Sequence, residues 1–309
     1  MARAFAVADR GEPAVVQDIP TPDPGPGQVR VKVNAASLNG IDVYAAAGYL
    51  WEMMPHEFPV VLGRDFAGPV EEVGEGVTTL APGQRVAGVI TGLSLGAGAI
   101  STSVVADAAS LVPVPDAVTD EIAAAVGLAG VGAKDLVDAL ALGADDVVLV
   151  SGATGGVGAL ALQLAAATGA TVLATASPAG ADFVRGLGAA AAVDYAEDLG
   201  LAVKDASPQG ITAVIHAAGD AAQLASLLPP GGRLASVLGA TAEQLGRDDL
   251  TLIPVVATAT PEKLTALLEA VASGALVVPV ARTFALDDAG AALDAFSQHK
   301  QGKLVITLA

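Results

Sequence analysis

Ser151-Gly152-Ala153-Thr154-Gly155-Gly156-Val157-Gly158 is the stretch of this 309-residue chain whose residue types and spacing most directly imply chemistry. It follows a β-branched run, Asp146 to Val150, and opens an apolar segment that reads as a helix from about 157 to 167. In that setting Gly152 permits a tight turn, Gly155 lets the backbone approach a phosphate, and Gly158 lets the helix settle on the strand. The free N–H groups at the helix start then hold negative charge. The spacing is Gly-x-x-Gly-x-x-Gly rather than the stricter Gly-x-Gly-x-x-Gly, and a glycine turn can exist with no ligand. The strand-turn-helix setting favours a dinucleotide, with Ala153, Thr154, Gly156 and Val157 completing the cradle.

Which dinucleotide depends on the end of the next strand, where an NAD site carries an acid for the ribose 2′-hydroxyl. Here the strand over 171–175 is followed by Ala176 and Ser177, and Asp182 sits inside the next helix. Ser177 can donate to a 2′-phosphate, so NADPH is expected. Arg185 could add charge there, though a surface role is the plainer reading. His216, at a strand end before Ala217-Ala218-Gly219, is a candidate for the cofactor ribose, and Gly239 joins the same cofactor-binding set. Tyr44 and Tyr49, two of three tyrosines, are the first proton-donor candidates; the plainer reading is packing with an exposed hydroxyl. Lys134 could hold an anionic group or be a solvated helix residue. Trp51, Met53, Met54 and Phe58 form an apolar cluster that would line an acceptor pocket or simply pack. His56 reads as a loop residue.

The elements that must position these residues fall into two kinds. The first hundred or so residues read as short strands and turns, at 29–33, 66–73 and 84–89, with a helix near 40–47. From about 120 helices and strands alternate. Helices are expected at Glu121 to Ala129 and Lys134 to Ala141, then near 157–167, 180–187, 224–228 and 262–272. Strands are expected at 146–150, 171–175, 191–194, 214–215 and 233–237. This alternation is the doubly wound signature. The tail returns to strands at 276–280 and 304–308. The expected architecture is α/β: a Rossmann-type parallel-sheet domain over 120–273, and a β-rich domain built from 1–119 and 274–309. A cleft between such domains is the usual place for cofactor and substrate.

Composition narrows the function. The formal net charge of −18 disfavours nucleic acid and anionic lipid as partners. There is no cysteine, so disulfides, thiol nucleophiles and thiolate metal sites are excluded. His56, His216 and His299 are too scattered for a metal-ligand motif. Residues 147–181 carry no charge, but their glycines punctuate the run into buried strand, turn and helix rather than a membrane span. No signal peptide is read at the start, and a cytoplasmic location is expected.

The order of motifs resembles the zinc-free medium-chain dehydrogenases/reductases, above all the quinone oxidoreductase-like family and its enoyl-reductase relatives. The likeness runs through PDPGPGQVRVKVNAASLNGIDVY at 22–44, LGRDFAGPVEEVGEGV at 62–77, PGQRVAG at 82–88, SGATGGVG at 151–158, LPPGGRLASV at 228–237 and QGKLVITL at 301–308. The resemblance implies a GroES-like catalytic domain formed by both termini. It implies NADPH as hydride donor and a quinone or α,β-unsaturated carbonyl as acceptor. It places Asn39 and Asp42 near the nicotinamide, where the plainer role is a turn or cap. It adds Tyr195 to Ser177 at the 2′-phosphate and puts Gly302 and Lys303 near the cofactor. It also suggests a homodimer acting on a small molecule. Gly63-Arg64-Asp65 stands where zinc-dependent relatives carry Gly-His-Glu. The chain departs from the family at Gly132 and Lys134, in place of Thr and Tyr, at 98–103, and at His216, in place of Asp or Asn. A non-redox protein reusing the same cleft is therefore the alternative expectation.

Overall fold

The computed structural model describes residues 1–21, 23–92 and 94–308. Pro22, which opens the first of the family-like motifs, lies outside the described residues. By contact the chain divides into two compact units, one of residues 1–128, 259–275 and 280–309, the other of 129–258 and 276–279.

The first unit begins with β1 (Ala2–Val7), β2 (Ala14–Ile19), β3 (Gln28–Lys32), β4 (Ala35–Leu38), α1 (Gly40–Ala46), β5 (Val60–Val61), β6 (Asp65–Val73), β7 (Arg85–Val89), β8 (Ser103–Asp107) and β9 (Val112–Pro113). The division falls within α2 (Asp120–Leu140). The second unit holds β10 (Val147–Ser151), α3 (Gly156–Ala167), β11 (Thr171–Thr175), α4 (Ala181–Gly186), β12 (Ala191–Val193), α5 (Leu199–Ala206), β13 (Ala213–His216), α6 (Ala221–Ser226), β14 (Arg233–Ser236), α7 (Ala242–Leu245) and β15 (Thr251–Pro254). The chain then returns to the first unit through α8 (Pro261–Ala272), β16 (Val280–Ala285), α9 (Ala289–Phe296) and β17 (Lys303–Thr307).

In the second unit six strands pair in the order β12-β11-β10-β13-β14-β15. Every pairing is parallel. Val148, Leu149 and Val150 are buried on both faces of their strand, as a central parallel strand requires. This order is doubly wound, and its direction reverses between β10 and β13, the switch point where such sheets bind ligands at their carboxyl ends. The first unit carries a sheet whose path is β16-β17-β4-β6-β3-β8, with β7 and β9 joined to β6. Its core gathers Phe5, Val31, Leu38, Phe66, Ile100 and Ile306. Strands from both ends of the sequence meet in it: Val305 pairs with Ser37 and Ile306 with Ala36.

Three expectations differ from the structure. The pair of helices at 121–129 and 134–141 is one continuous helix, α2. Each glycine costs a helix about 1 kcal/mol, but buried Val126, Val131 and Leu136 anchor this one. Gly127 is moreover needed, because a Cβ there would meet the Cβ of Asp65 at 2.6 Å. The strand expected at 276–280 instead begins where that stretch ends, at Val280. The helix at 261–272, expected to close the nucleotide-binding region, falls with the first unit by contact. Short alanine-rich elements such as β1, β4 and α9 were not legible, since alanine carries little strand or helix-face signal.

Candidate functional site

In the first unit Asn39, between β4 and α1, and Asp42, in the first turn of α1, lie together. Asn39 is the helix N-cap in extended backbone, and the Asp42 carboxylate reaches back to accept its N–H at 2.8 Å. The other Asp42 oxygen accepts the Gly63 N–H at 2.8 Å. Gly63 adopts φ +93°, and a Cβ there would meet the Ile100 backbone nitrogen at 2.6 Å, so this close approach requires glycine. The Asn39 amide donates to Asp65 Oδ1 at 3.1 Å and to the Ser37 carbonyl at 3.3 Å. Asp65 also accepts from the Ser37 hydroxyl at 2.7 Å and from the Leu128 N–H at 2.9 Å.

Lys303 completes this cluster. Its ammonium donates to Asn39 Oδ1 at 2.6 Å and to the Leu38 carbonyl at 2.9 Å. Asn39, Asp42, Asp65 and Lys303 are all buried. Burial pushes the Asp42 carboxyl up to about 6, with Asp65 adding to the rise; the Asn39 and Gly63 N–H groups and Lys303 oppose it. Burial lowers the Lys303 ammonium, against the pull of Asp65 and Asp42. The Asn39 and Asp42 side chains are thus engaged within the unit, in the cap role that was the plainer reading. Lys303, expected beside the cofactor, directs its ammonium to this cluster. Asp65 and Ser37, absent from the expected site, are integral to it, and the only hint was a polar residue in an apolar stretch of strand.

Tyr44 and Tyr49 stand near each other, ring centroids 6.2 Å apart. Both side chains remain exposed, at 52% and 69%. Trp51, His56 and Phe58 form a three-ring cluster, with Phe58 edge-on to both neighbours and His56 tilted to Trp51 and hydrogen-bonded to the Met54 carbonyl. Met53 is 77% exposed and stands apart from that packing. Arg64, at the place where zinc-dependent relatives carry His, is buried and donates to the Gly92 carbonyl at 2.9 Å. A guanidinium cannot ligate a cation, so the residues present do not fit a zinc ion. Among the described residues no group of three or more His, Asp and Glu has metal-holding geometry.

In the second unit the glycine turn lies at the carboxyl end of β10, beside the switch point. Gly152 has φ +83° and its N–H donates to Thr175 Oγ1 at 3.0 Å. A Cβ on Gly158 would meet the Gly152 carbonyl oxygen at 2.1 Å, so α3 can approach the strand only with glycine there. Gly155 is the N-cap of α3 and no side chain caps that helix. The N–H groups of Gly156, Val157 and Gly158 therefore face outward for an anion. Ala153 is buried beneath the turn, and Thr154 is half-buried at its rim. This cradle fits a dinucleotide pyrophosphate.

Ser177 sits just past β11, half-buried, as the N-cap of a short 3₁₀ turn. Tyr195, beyond β12, is 46% exposed. Asp182 is paired with Arg185 at 3.3 Å on α4. Gly239 is exposed at φ +70° after β14. His216 is buried, with Nδ1 2.9 Å from Ser236 Oγ and Nε2 3.1 Å from the Gly219 carbonyl oxygen. Both ring nitrogens are therefore engaged within the protein rather than open to a ribose. Lys134 pairs with Asp138 one helical turn away at 2.9 Å, the solvated-helix role. Gly132 is buried, and a Cβ there would find only the Ala257 Cβ, at 3.6 Å.

A doubly wound unit with a glycine cradle at its switch point, together in one chain with a β-rich unit made from both chain ends, defines a Rossmann-type and GroES-like two-part protein. The family model described as alcohol dehydrogenase GroES-like domain matches residues 25–116, and that described as zinc-binding dehydrogenase matches residues 187–306. The chloroplast envelope quinone oxidoreductase homolog of Arabidopsis thaliana is 35% identical over 206 residues, covering 65% of this chain and 62% of that relative. The trans-enoyl reductase tndF of Aspergillus flavipes is 35% identical over 206 residues, covering 62% of this chain and 59% of its own length. The aligned stretches thus span less than two thirds of these curated relatives. The solved quinone oxidoreductase of Coxiella burnetii superposes over 100% of both chains with a TM-score of 0.89 at 29% identity. The chain belongs to the medium-chain dehydrogenase/reductase family, in its quinone oxidoreductase-like branch. Among the described residues no helix is long and apolar enough to cross a membrane.

Proposed function

We propose that this chain binds NADPH on its second unit and delivers the hydride to a quinone or an α,β-unsaturated carbonyl, without a metal. The observation that carries the reading is the glycine cradle: φ +83° at Gly152, an uncapped α3, and no room for a side chain at Gly158. The relatives named quinone oxidoreductase and trans-enoyl reductase support the reaction class. When bound, the dinucleotide supplies the hydride. The N–H groups of Gly156, Val157 and Gly158 hold the pyrophosphate, and Gly239 leaves backbone open to the cofactor. Ser177 and Tyr195 offer hydroxyls to the 2′-phosphate, and no acid at the end of β11 selects the free ribose.

For a quinone, solvent can protonate the product. An enolate from an unsaturated carbonyl benefits from a donor, and the exposed hydroxyls of Tyr44 and Tyr49 supply one. The edge strand β15, paired only with β14 among the described residues, offers a seam for the expected homodimer.

A second reading, a non-redox use of the same cradle, draws on Gly132 and Lys134, where the family residues are missing and Lys134 is committed to Asp138. One assay separates the two. Oxidation of NADPH and of NADH is followed with a naphthoquinone, a benzoquinone, a 2-alkenal and a cyclic enone. Turnover with NADPH above NADH supports the reductase. Binding without turnover selects the non-redox reading. Absence of dinucleotide binding overturns both.

A further inference from the structure

Four adjacent strands of the parallel sheet end on a buried polar side chain: Thr175 on β11, Ser151 on β10, His216 on β13 and Ser236 on β14. Their hydrogen bonds form a seam along the carboxyl edge. Thr175 Oγ1 accepts from the Gly152 N–H, and the Ser151 hydroxyl donates to the Ala218 carbonyl at 2.7 Å. His216 then bridges the loop after its own strand and the neighbouring strand, through the Gly219 carbonyl and Ser236. Ser236 Oγ accepts the Leu238 N–H at 3.1 Å.

The direction of these bonds follows from the groups. A carbonyl only accepts, so Nε2 of His216 carries a proton. In the neutral ring Nδ1 then accepts from the Ser236 hydroxyl. The segment 217–219 is held from both sides, by Ser151 at one end and His216 at the other. It packs so closely on the cradle that a Cβ on Gly152 would meet Ala218 Cβ at 2.8 Å, and one on Gly219 would meet Ser151 Oγ at 3.3 Å. An apolar residue at 216 would leave the Gly219 carbonyl and the Ser236 hydroxyl without this partner, and segments 217–219 and 237–239 would lose their common tie.

We propose that His216 is a positioning residue for the dinucleotide. It does not touch the cofactor. It locks segments 217–219 and 237–239 at the carboxyl edge and so presets the shape of the cradle around Gly152. The proposal rests on the dinucleotide reading given above.

The test measures NADPH binding, by nicotinamide fluorescence and calorimetry, for the wild type, His216→Phe, His216→Gln and Ser236→Ala. A thermal melt of each variant accompanies it. Gln keeps one donor and one acceptor; Phe keeps the ring volume and neither. The expected Kd rises about tenfold for His216→Phe and about threefold for Ser236→Ala, and stays within about threefold of wild type for His216→Gln. Packing alone predicts the reverse order, with Phe tolerated and Gln disfavoured. In the wild type, ¹⁵N NMR of the ring should show the Nε2–H tautomer. A wild-type Kd in folded His216→Phe, or an Nδ1–H ring, overturns the proposal. If His216→Phe does not fold, Ser236→Ala decides: an unchanged Kd overturns the proposal and a raised one supports it. A wild type that binds neither dinucleotide removes the dinucleotide reading itself, and the proposal with it. Binding by the wild type with indifferent variants removes only the positioning role.

Discussion

The ammonium of Lys303 lies 2.6 Å from Oδ1 of Asn39, across 264 residues of sequence. The bond joins the last strand of the chain to the cap of its first helix, inside a cluster that also buries Asp42 and Asp65. Replacing Lys303 with Met keeps the length of the side chain and removes the charge, leaving two buried carboxylates short of a cation. Removing one partner of a buried pair costs about 3–5 kcal/mol. Urea unfolding of Lys303→Met should show a loss of that order; a loss under about 1 kcal/mol would mean that water reaches the cluster.

Asp42 makes stability depend on pH in an identifiable direction. Its folded value, about 6, lies above the ordinary 3.8, so the native state holds this proton more tightly than the unfolded chain. The contribution is fully present below about 3.8 and is lost as pH rises through about 6. Its span is about 3 kcal/mol. Asp65, Lys303 and Arg64 are the charges acting on it or beside it. Asp42→Asn removes this titration. The difference in unfolding free energy between wild type and variant should change across that window and be flat above it. A constant difference throughout would show that Asp42 is not raised.

Two glycines should answer oppositely to alanine. At Gly158 the new Cβ meets a carbonyl oxygen at 2.1 Å, so α3 must move off β10. Gly158→Ala should weaken NADPH binding by about tenfold or more and lower the melting temperature. At Gly132 the nearest atom lies at 3.6 Å. Gly132→Ala should fold normally and gain up to about 1 kcal/mol from helix propensity. Calorimetry on both variants checks the contrast.

The proposed preference for NADPH rests on the residues that follow β11. Ser177→Asp places a carboxylate where the 2′-phosphate is expected and offers an acceptor to a free 2′-hydroxyl. The ratio of kcat/KM for NADPH to that for NADH should fall by about a hundredfold. An unchanged ratio would place the phosphate elsewhere.

Tyr44→Phe and Tyr49→Phe, together, should leave quinone reduction near the wild-type rate and slow enone reduction by about a hundredfold. Equal loss on both acceptors would indicate that the rings shape the pocket and that neither hydroxyl donates the proton.

The glycine cradle was readable because everything it needs is local. A β-branched run, a turn and an apolar helix are properties of neighbouring residues, and positive φ and close approach at Gly152 and Gly158 follow from glycine itself. The alternation of strands and helices from 146 to 237 was readable for the same reason, and the order of motifs reached the family. The continuity of α2 was not. Its glycines argue for a break by propensity, and only the presence of Asp65 against Gly127 explains why that one is there.

Sequence alone therefore determined the parallel-sheet unit, its glycine turn and the lack of cysteine chemistry. Tertiary structure decided the fate of the polar candidates. Asn39 and Asp42 became a closed cap because Asp65 and Lys303 arrive from strands 26 and 264 residues away from Asn39. His216 turned inward because Ser236 stands opposite it in register on the next strand. A buried polar side chain must find a partner, and which partner it finds depends on which distant strand ends the fold brings together.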